Sequence, residues 1–181
     1  QNEKLIVFSA SRFTEGKSMD VYIKAANIIN EELPGLCHFY ISGEGELERE
    51  LNDLNDEQGG AVKFVNPKSD YRDILKKAHI FVFNSIKEGT PIVLLEAHFS
   101  GCKVITSSFE GCNEMLKGAK NIIVYEPGNL NELKAKLKQA IQNYSGNEDA
   151  NFIQENFRQE YSLTNMICKH NELYSEILKE K

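Results

Sequence analysis

The chain has 181 residues, of which 41% are hydrophobic and 27% charged, and its formal net charge at pH 7 is −6. This length and composition predict one globular domain with a substantial buried core. The acidic balance disfavours nucleic-acid binding, which calls for a basic surface, and no apolar run approaches the roughly 20 residues that span a membrane. We therefore expect a cytoplasmic protein with no nucleic-acid partner.

Strand and helix patterns alternate along the chain. In chain order, the patterns predict a strand at 5–9, a helix at 18–32, a strand at 37–42, a polar helix through Asn55, a strand at 61–65, a short helix near 71–77, a strand at 79–84, an apolar helix at 91–100, a strand at 103–106, a short helix after 113, a strand at 121–125, and helices at 130–143, 149–157 and 163–178. Such alternation is typical of βαβ units. We predict an α/β, Rossmann-like doubly wound parallel sheet of about six strands, with helices on both faces and a helical C-terminus.

Cysteine and histidine spacing indicates neither a disulfide framework nor a metal site. The four cysteines form no Cys-x-x-Cys pair, and the four histidines have no metal-ligand spacing. Cys37 and Cys102 adjoin apolar strand-like segments, which favours buried free thiols. On the apolar helix, His98 is more simply a satisfied core histidine than a catalytic one. We predict a reduced compartment and no bound metal.

The most informative stretch is Glu88-Gly-Thr-Pro-Ile-Val-Leu-Leu-Glu96, which follows the fourth predicted strand. Thr90 is predicted to be the N-cap of the apolar helix and Pro91 its first residue. A helix start attracts anions, and Glu96 lies one turn, about 5 Å, further along. A buried carboxylate there is costly unless it is paired or used. A nucleotide fits this pattern, with phosphate at the helix start and ribose hydroxyls on Glu96.

Two cations follow the first predicted strand. Arg12 and Lys17, with Gly16 between them, could hold a diphosphate, although two solvated loop charges would look the same. In a doubly wound sheet, ligands bind beyond the carboxyl ends of the strands. We therefore expect the loops after strands one, four and five to open at one edge.

Other motifs are incomplete. Gly16-Lys17-Ser18 lacks the earlier glycine of a phosphate-binding P-loop, and Gly43-Glu44-Gly45 lacks the third glycine of the dinucleotide fingerprint, where Glu48 stands. Gly43 and Gly45 are predicted to be turn residues. Gly111 suits either a close approach to a ligand or an ordinary tight turn. A glycosidase-like pair of Glu88 and Glu96 ranks low, since Glu96 lies beyond the proposed phosphate site.

An ordered set of motifs spans almost the whole chain. It comprises Arg12 with Gly16 and Lys17, Ile41-Ser-Gly-Glu-Gly45, Val62-Lys-Phe-Val65, Tyr71 with Ala78-His-Ile-Phe-Val82, the Glu88–Glu96 stretch with Ala97, Gly101-Cys-Lys-Val-Ile-Thr106, Gly111 with Glu114, and Leu173-Tyr174. This set resembles the C-terminal, nucleotide-sugar donor-binding domain of family 4 (group 1) retaining glycosyltransferases, which have the GT-B fold.

The resemblance implies roles for individual residues. Arg12 and Lys17 match the cations that neutralise the donor diphosphate, Glu88 matches the glutamate that faces the transferred sugar, and these three form the implied catalytic set. Glu96 matches the glutamate that binds ribose hydroxyls. The remaining implied donor-binding residues are Gly89, Thr90, Pro91, Ile92, Val93 and Gly111, with Asn66 and Lys68 near the base.

The resemblance also implies an activity. The chain would bind a UDP-, GDP- or ADP-linked sugar without metal or cofactor. The full-length enzyme would transfer a hexosyl group, with retention, to a glycan or lipid acceptor held by an N-terminal domain absent here. We expect the isolated chain to be inactive and the whole enzyme to serve bacterial-type surface polysaccharide or glycolipid synthesis, where it could lie peripherally at the inner face of the membrane. Two alternatives stay open: a non-catalytic nucleotide-binding or interaction module of the same fold, and half of a sugar-nucleotide epimerase.

Overall fold

Six parallel strands form one sheet in the computed structural model, which describes residues 3–65, 71–116, 121–146, 159 and 161–179. The strand order is β3-β2-β1-β4-β5-β6, so the direction of winding reverses between β1 and β4. Every neighbouring pair is parallel, with β1 lying on β2 from Leu5–Cys37 to Ala10–Ser42. The predicted α/β doubly wound fold is confirmed.

The elements follow the predicted order, with most ends within two residues of those predicted. In chain order they are β1 Leu5–Ala10, α1 Met19–Glu32, β2 Cys37–Ser42, α2 Glu48–Glu57, β3 Val62–Val65, α3 Arg72–Leu75, β4 Ile80–Phe83, α4 Ile92–Phe99, β5 Lys103–Ser107, α5 Cys112–Met115, β6 Ile122–Tyr125, α6 Leu130–Gln142 and α7 Leu163–Lys179. The short helix predicted near 71–77 is a single turn. The helix predicted at 149–157 lies outside the described residues.

Helices cover both faces of the sheet because successive strand residues point to opposite sides. In β1, Val7 packs in the cluster that includes α1 and α6 residues, whereas Phe8 packs in the cluster with α4. Both side chains are fully buried. Burial on both faces explains why these strands are continuously apolar in sequence.

The start of α4 differs from the prediction. Thr90 is exposed, and the N-cap is Pro91, whose φ of −74° and ψ of 97° are extended; the helix itself begins at Ile92. The prediction of Thr90 as N-cap and Pro91 as first helical residue was therefore wrong by one position. Proline fixes φ but leaves ψ free, so it suits the extended N-cap as well as the first turn. The helix is also less enclosed than its sequence suggested, because Ile92 is 67% exposed.

The thiols are free in the described structure, and three of the four are buried. Burial raises the pKa of Cys37 to about 11 and that of Cys102 to about 12, so neither is a reactive thiolate near neutral pH. Cys112 is likewise buried, whereas Cys168 on α7 is exposed. In the ranges given above, none of the helices combines the length and apolarity that a membrane-spanning helix requires.

Helix α7 is unlike the other long helices because none of its residues is buried. Apolar side chains recur along it at helical spacing and are about half exposed or more: Leu163, Met166, Ile167, Leu173, Tyr174, Ile177 and Leu178. Just before the helix, the Tyr161 hydroxyl donates a hydrogen bond to the carbonyl oxygen of Met115 at 2.8 Å. The chain thus presents an apolar helical stripe on its surface.

Candidate functional site

A cavity of about 370 Å³ lies at the carboxyl edge of the sheet, next to the point where the winding reverses. Loops after β1, β2 and β4 line it, together with the start of α4. The lining residues are Ala10, Ser11, Arg12, Lys17, Ser42, Gly43, Glu44, Tyr71, Phe83, Glu88, Pro91 and Val93. This is the place where doubly wound proteins bind their ligands.

An ion pair joins two loops across this cavity. The Lys17 Nζ donates to Glu88 Oε1 at 2.5 Å, and the two side chains are only 14% and 18% exposed. Arg12 lines the same cavity, is exposed, and forms no ion pair with any residue in the described ranges. The cavity therefore holds one neutralised cation and one cation open to an anionic ligand.

The backbone fixes the distance between these loops. The carbonyl oxygen of Gly16 accepts hydrogen bonds from the Ile86 N–H at 2.8 Å and from the Ser85 hydroxyl at 3.3 Å. Gly16 has a φ of 79°, and Ser18, with a φ of 47°, is left-handed although it is not glycine. Such a conformation is uncommon in non-glycine residues and recurs at ligand sites. Lys17 stands between these two left-handed residues, facing Glu88.

Buried polar side chains support the same edge from below. The Tyr125 hydroxyl donates to Asn84 Oδ1 at 2.9 Å, and Asn84 Nδ2 donates to Ser9 Oγ at 3.3 Å. The Ser107 hydroxyl donates to the carbonyl oxygen of Ser85 at 2.6 Å. Burial raises the pKa of Tyr125 well above its usual range, which keeps its hydroxyl a proton donor. This network holds the loop that carries Glu88.

The glycines after β2 are more than turn residues. A Cβ at Gly43 would lie 1.9 Å from the carbonyl oxygen of Ser11, and one at Gly45 would lie 2.4 Å from that of Phe13. The two loops are joined there, since the Phe13 N–H donates to the carbonyl oxygen of Glu44 at 2.9 Å. Gly43 and Gly45 therefore allow the β2 loop to lie directly against the loop that bears Arg12.

Glu96 is held by two donors from the start of α3. The Tyr71 hydroxyl donates to Glu96 Oε2, and Arg72 Nε donates to Oε1 at 3.1 Å. Its side chain is 22% exposed. One turn earlier, the N–H groups of Ile92 and Val93 begin α4 and have no intrahelical acceptor. N–H groups at a helix start, which suit an anion, and a carboxylate that can accept hydroxyl groups thus follow one another along α4.

A second, wider cavity of about 700 Å³ shares Glu88 with the first. Gly89 lines it, together with the loop after β5 and the start of α5, which supply Phe109, Glu110, Gly111, Asn113 and Glu114. Gly111 is the N-cap of α5 and has a left-handed φ of 81°. It is therefore a turn residue and also part of the cavity wall. Glu88 is the boundary between the two cavities.

The structure thus groups most of the predicted site residues. Arg12, Lys17, Glu88, Pro91 and Val93 share the first cavity, and Gly89 and Gly111 line the second. Neither cavity is lined by Thr90, Ile92 or Glu96, and Asn66 and Lys68 lie outside the described residues. Sequence reasoning missed Ser42, Glu44, Tyr71, Arg72 and Phe83 as site residues. Ser42 is the last residue of β2 and Glu44 follows it, so the rule that ligands bind beyond the carboxyl ends of the strands would have found both. In the described ranges, no group of three or more His, Cys, Asp or Glu side chains is placed to hold a metal ion.

The fold and the cavity at its carboxyl edge define a doubly wound α/β domain with a site for a ligand, and comparison with known proteins gives its family. The family model described as glycosyl transferases group 1 matches residues 1–159. The chain belongs to this family, as its motifs predicted.

Curated relatives that match this chain include bacterial glycosyltransferases. One is the N,N'-diacetylbacillosaminyl-diphospho-undecaprenol alpha-1,3-N-acetylgalactosaminyltransferase of Campylobacter jejuni, 26% identical over 136 residues, which cover 75% of this chain and 35% of the relative. Another is the UDP-Gal:alpha-D-GlcNAc-diphosphoundecaprenol alpha-1,3-galactosyltransferase of Escherichia coli, 25% identical over 169 residues, which cover 88% and 41%. The chain spans about a third to two fifths of the length of these relatives.

Solved structures give the same fold. A point mutant of TarM from S. aureus, in a complex containing UDP, superposes with a TM-score of 0.82 at 22% identity over 96% of this chain and 36% of TarM. Anabaena HepE, in complex with UDP and glucose, has a TM-score of 0.79 at 19% identity over 96% and 48%. The fold is that of one part of the GT-B glycosyltransferases.

Proposed function

We propose that this chain is the donor-binding domain of a retaining hexosyltransferase and binds a nucleoside diphosphate sugar in the cavity at the carboxyl edge. The observation that carries this proposal is the meeting of Arg12, Lys17, Glu88 and the start of α4 around one cavity. Cations and a helix N-terminus suit a diphosphate, and Glu88, at the border of the second cavity, suits sugar hydroxyls.

Binding requires an exchange of partners. Lys17 is paired with Glu88 in the described structure, so the diphosphate takes the place of Glu88 on Lys17. The released Glu88 then accepts hydroxyls of the sugar in the second cavity, while exposed Arg12 binds the diphosphate bidentately. The ribose hydroxyls donate to Glu96.

The reaction that follows is a substitution at the anomeric carbon. The bond between that carbon and the β-phosphate oxygen breaks, and the nucleoside diphosphate leaves with the electron pair. An acceptor hydroxyl attacks from the same face through an oxocarbenium-like transition state and gives its proton to the departing phosphate. Arg12, Lys17 and the α4 N–H groups stabilise the charge that develops on the leaving group, so no metal or cofactor is needed.

The remaining parts of the reaction belong to a second domain. Relatives with diphosphoundecaprenol in their names favour a lipid-linked or glycan acceptor and bacterial-type surface polysaccharide or glycolipid synthesis. The apolar stripe of α7 suits packing against that domain in the full-length enzyme. Without it, the chain binds the donor but transfers no sugar. We place the whole enzyme in the cytoplasm, peripherally at the inner face of the membrane.

Isothermal titration calorimetry tests this proposal. The folded chain is titrated with UDP, GDP, ADP and their glucose conjugates, without metal and then with Mg²⁺; UDP leads because TarM and HepE were solved with it. We expect metal-independent binding of one nucleotide, weakened about tenfold or more in Arg12→Ala. Arg49→Ala is the matched control, since Arg49 is an exposed arginine paired with Asp53 on α2. Absence of binding to all of them, or equal losses in both variants, contradicts the proposal.

A further inference from the structure

Tyr71 and Arg72 form a small assembly with Glu96 that none of the predicted roles includes. Tyr71 donates its hydroxyl to Glu96 Oε2, and Arg72 Nε lies 3.1 Å from Oε1. The Arg72 guanidinium carbon also lies 5.5 Å from the centre of the Tyr71 ring. Both donors come from consecutive residues at the start of α3, 25 and 24 positions before Glu96.

Tyr71 and Arg72 stabilise a carboxylate that the sequence places in the apolar helix α4. Glu96 stands in an apolar helix, and an unrestrained carboxylate there would lose hydration and rotate among several rotamers. Two donors on its two oxygens compensate that loss and fix the carboxylate plane. Each oxygen keeps further acceptor capacity, since a carboxylate has about four lone-pair sites. The Glu96 carboxylate is therefore held in one orientation and can still accept hydrogen bonds from a ligand.

Tyr71 connects this carboxylate with the cavity that holds Arg12 and Lys17, because its side chain lines that cavity. A ligand whose anionic part lies on Arg12 and Lys17 would thus have its neighbouring hydroxyls near the Tyr71–Glu96 contact. We propose that Tyr71 and Arg72 are positioning residues of the nucleotide site and hold Glu96 in the orientation that accepts the ribose hydroxyls. This inference rests on the proposed function and adds two residues to it.

The two residues contribute unequally. The Tyr71 contact is part-buried, and loss of its hydroxyl leaves Glu96 Oε2 without that donor. The Arg72 side chain is 57% exposed, so solvent screens its interaction with Glu96. We expect Tyr71→Phe to weaken nucleotide binding more than Arg72→Ala does.

A nucleotide that lacks the ribose hydroxyls tests the role directly. UDP and 2′,3′-dideoxy-UDP are titrated into the wild-type chain, Tyr71→Phe, Arg72→Ala, Glu96→Gln and the control Arg49→Ala. Thermal unfolding followed by circular dichroism checks that each variant is folded. We expect UDP affinity to fall about three- to tenfold in Tyr71→Phe and about twofold in Arg72→Ala, with the dideoxy affinity unchanged in both. Arg49→Ala should bind both nucleotides like the wild type.

The outcomes separate this inference from the proposed function. If the wild-type chain binds UDP but Tyr71→Phe binds both nucleotides more weakly by the same factor, Tyr71 has only a structural role and the inference is wrong. If Tyr71→Phe and Arg72→Ala both bind UDP normally, it is also wrong, and the donor site stands without it. If the wild-type chain binds no nucleotide, the proposed function falls, and this inference falls with it.

Discussion

Two lysine–glutamate pairs in this protein have the same length and different surroundings. Lys17 Nζ lies 2.5 Å from Glu88 Oε1, and Lys138 Nζ lies 2.5 Å from Glu32 Oε2. The first pair joins the loops after β1 and β4 inside a cavity. The second joins α6 to the end of α1 on the surface, where Lys134 also approaches Glu32 at 3.5 Å. Distance alone does not distinguish them.

Position distinguishes them. The side chains of the surface pair are 38% and 32% exposed, and such pairs contribute little because solvent screens them and ordering two long side chains costs entropy. The cavity pair is about half as exposed, lies where doubly wound folds bind ligands, and has the open cation Arg12 beside it. We infer that the surface pair only links two helices. In the cavity pair, an anionic ligand would take the place of the Glu88 carboxylate on Lys17.

Replacing the lysines of the two pairs should give the largest difference in nucleotide binding. We expect Lys17→Ala to weaken nucleoside diphosphate binding by about ten- to a hundredfold, because a charge-assisted hydrogen bond is lost from the site. Lys138→Ala should leave binding unchanged. Calorimetric dissociation constants of the two variants, measured in the same buffer, check this, and equal effects would mean that the cavity pair is no more functional than the surface pair.

Neutralising Glu88 should change the binding of UDP and of a UDP-sugar in different ways. Glu88→Gln frees Lys17 and removes a negative charge near the diphosphate, so we expect UDP to bind about three- to tenfold more tightly. The same variant should bind the cognate UDP-sugar no better than UDP, because the acceptor for the sugar hydroxyls is weakened. Glu32→Gln serves as the control with neither change. A loss of UDP affinity in Glu88→Gln would show that no exchange of partners occurs.

Loosening the loop that carries Glu88 should have a smaller effect. Ser85→Ala removes the hydroxyl that donates to the Gly16 carbonyl oxygen, while the Ile86 N–H still holds that oxygen. We expect a two- to threefold loss of UDP affinity, about what one weak hydrogen bond contributes. Ser175→Ala, which removes a comparable serine-to-backbone bond on exposed α7, is the control and should bind normally.

The ion pair between Lys138 and Glu32 should make only a small contribution to thermal stability, and acid should remove it. The hydrogen bond from Lys138 lowers the pKa of Glu32 below its usual value. A carboxyl group whose pKa is lower in the folded state than in the unfolded state stabilises the fold at pH values above the unfolded pKa, which is near 4.3. This contribution is lost as the pH falls through the pKa of the folded state. We therefore expect Glu32→Gln to lower Tm by no more than about 2 °C at pH 7, with the difference shrinking as the pH falls through the lowered pKa of Glu32. A difference that grows in acid would contradict this sign.

The sequence predicted the features that depend on local pattern. Continuous apolar strands alternating with helices indicated the sheet. Because Arg12 and Glu88 follow two of these strands, the sequence also predicted that both lie at the carboxyl edge of the sheet. The sequence pattern did not predict the side-chain contacts between residues far apart in the chain. Lys17 meets Glu88 across 71 residues and Tyr71 meets Glu96 across 25, and neither contact leaves a periodic signal. The start of α4 was missed by one residue because proline is compatible with both the N-cap and the first turn.

A crystal structure of this chain with UDP would test the exchange at the cavity pair most directly. We predict the diphosphate between Arg12 and Lys17, the ribose hydroxyls on Glu96, and Lys17 Nζ withdrawn from Glu88 onto a phosphate oxygen, while Lys138 and Glu32 stay paired as in the chain alone. UDP bound elsewhere, or bound at this edge with Lys17 still on Glu88, would contradict the account.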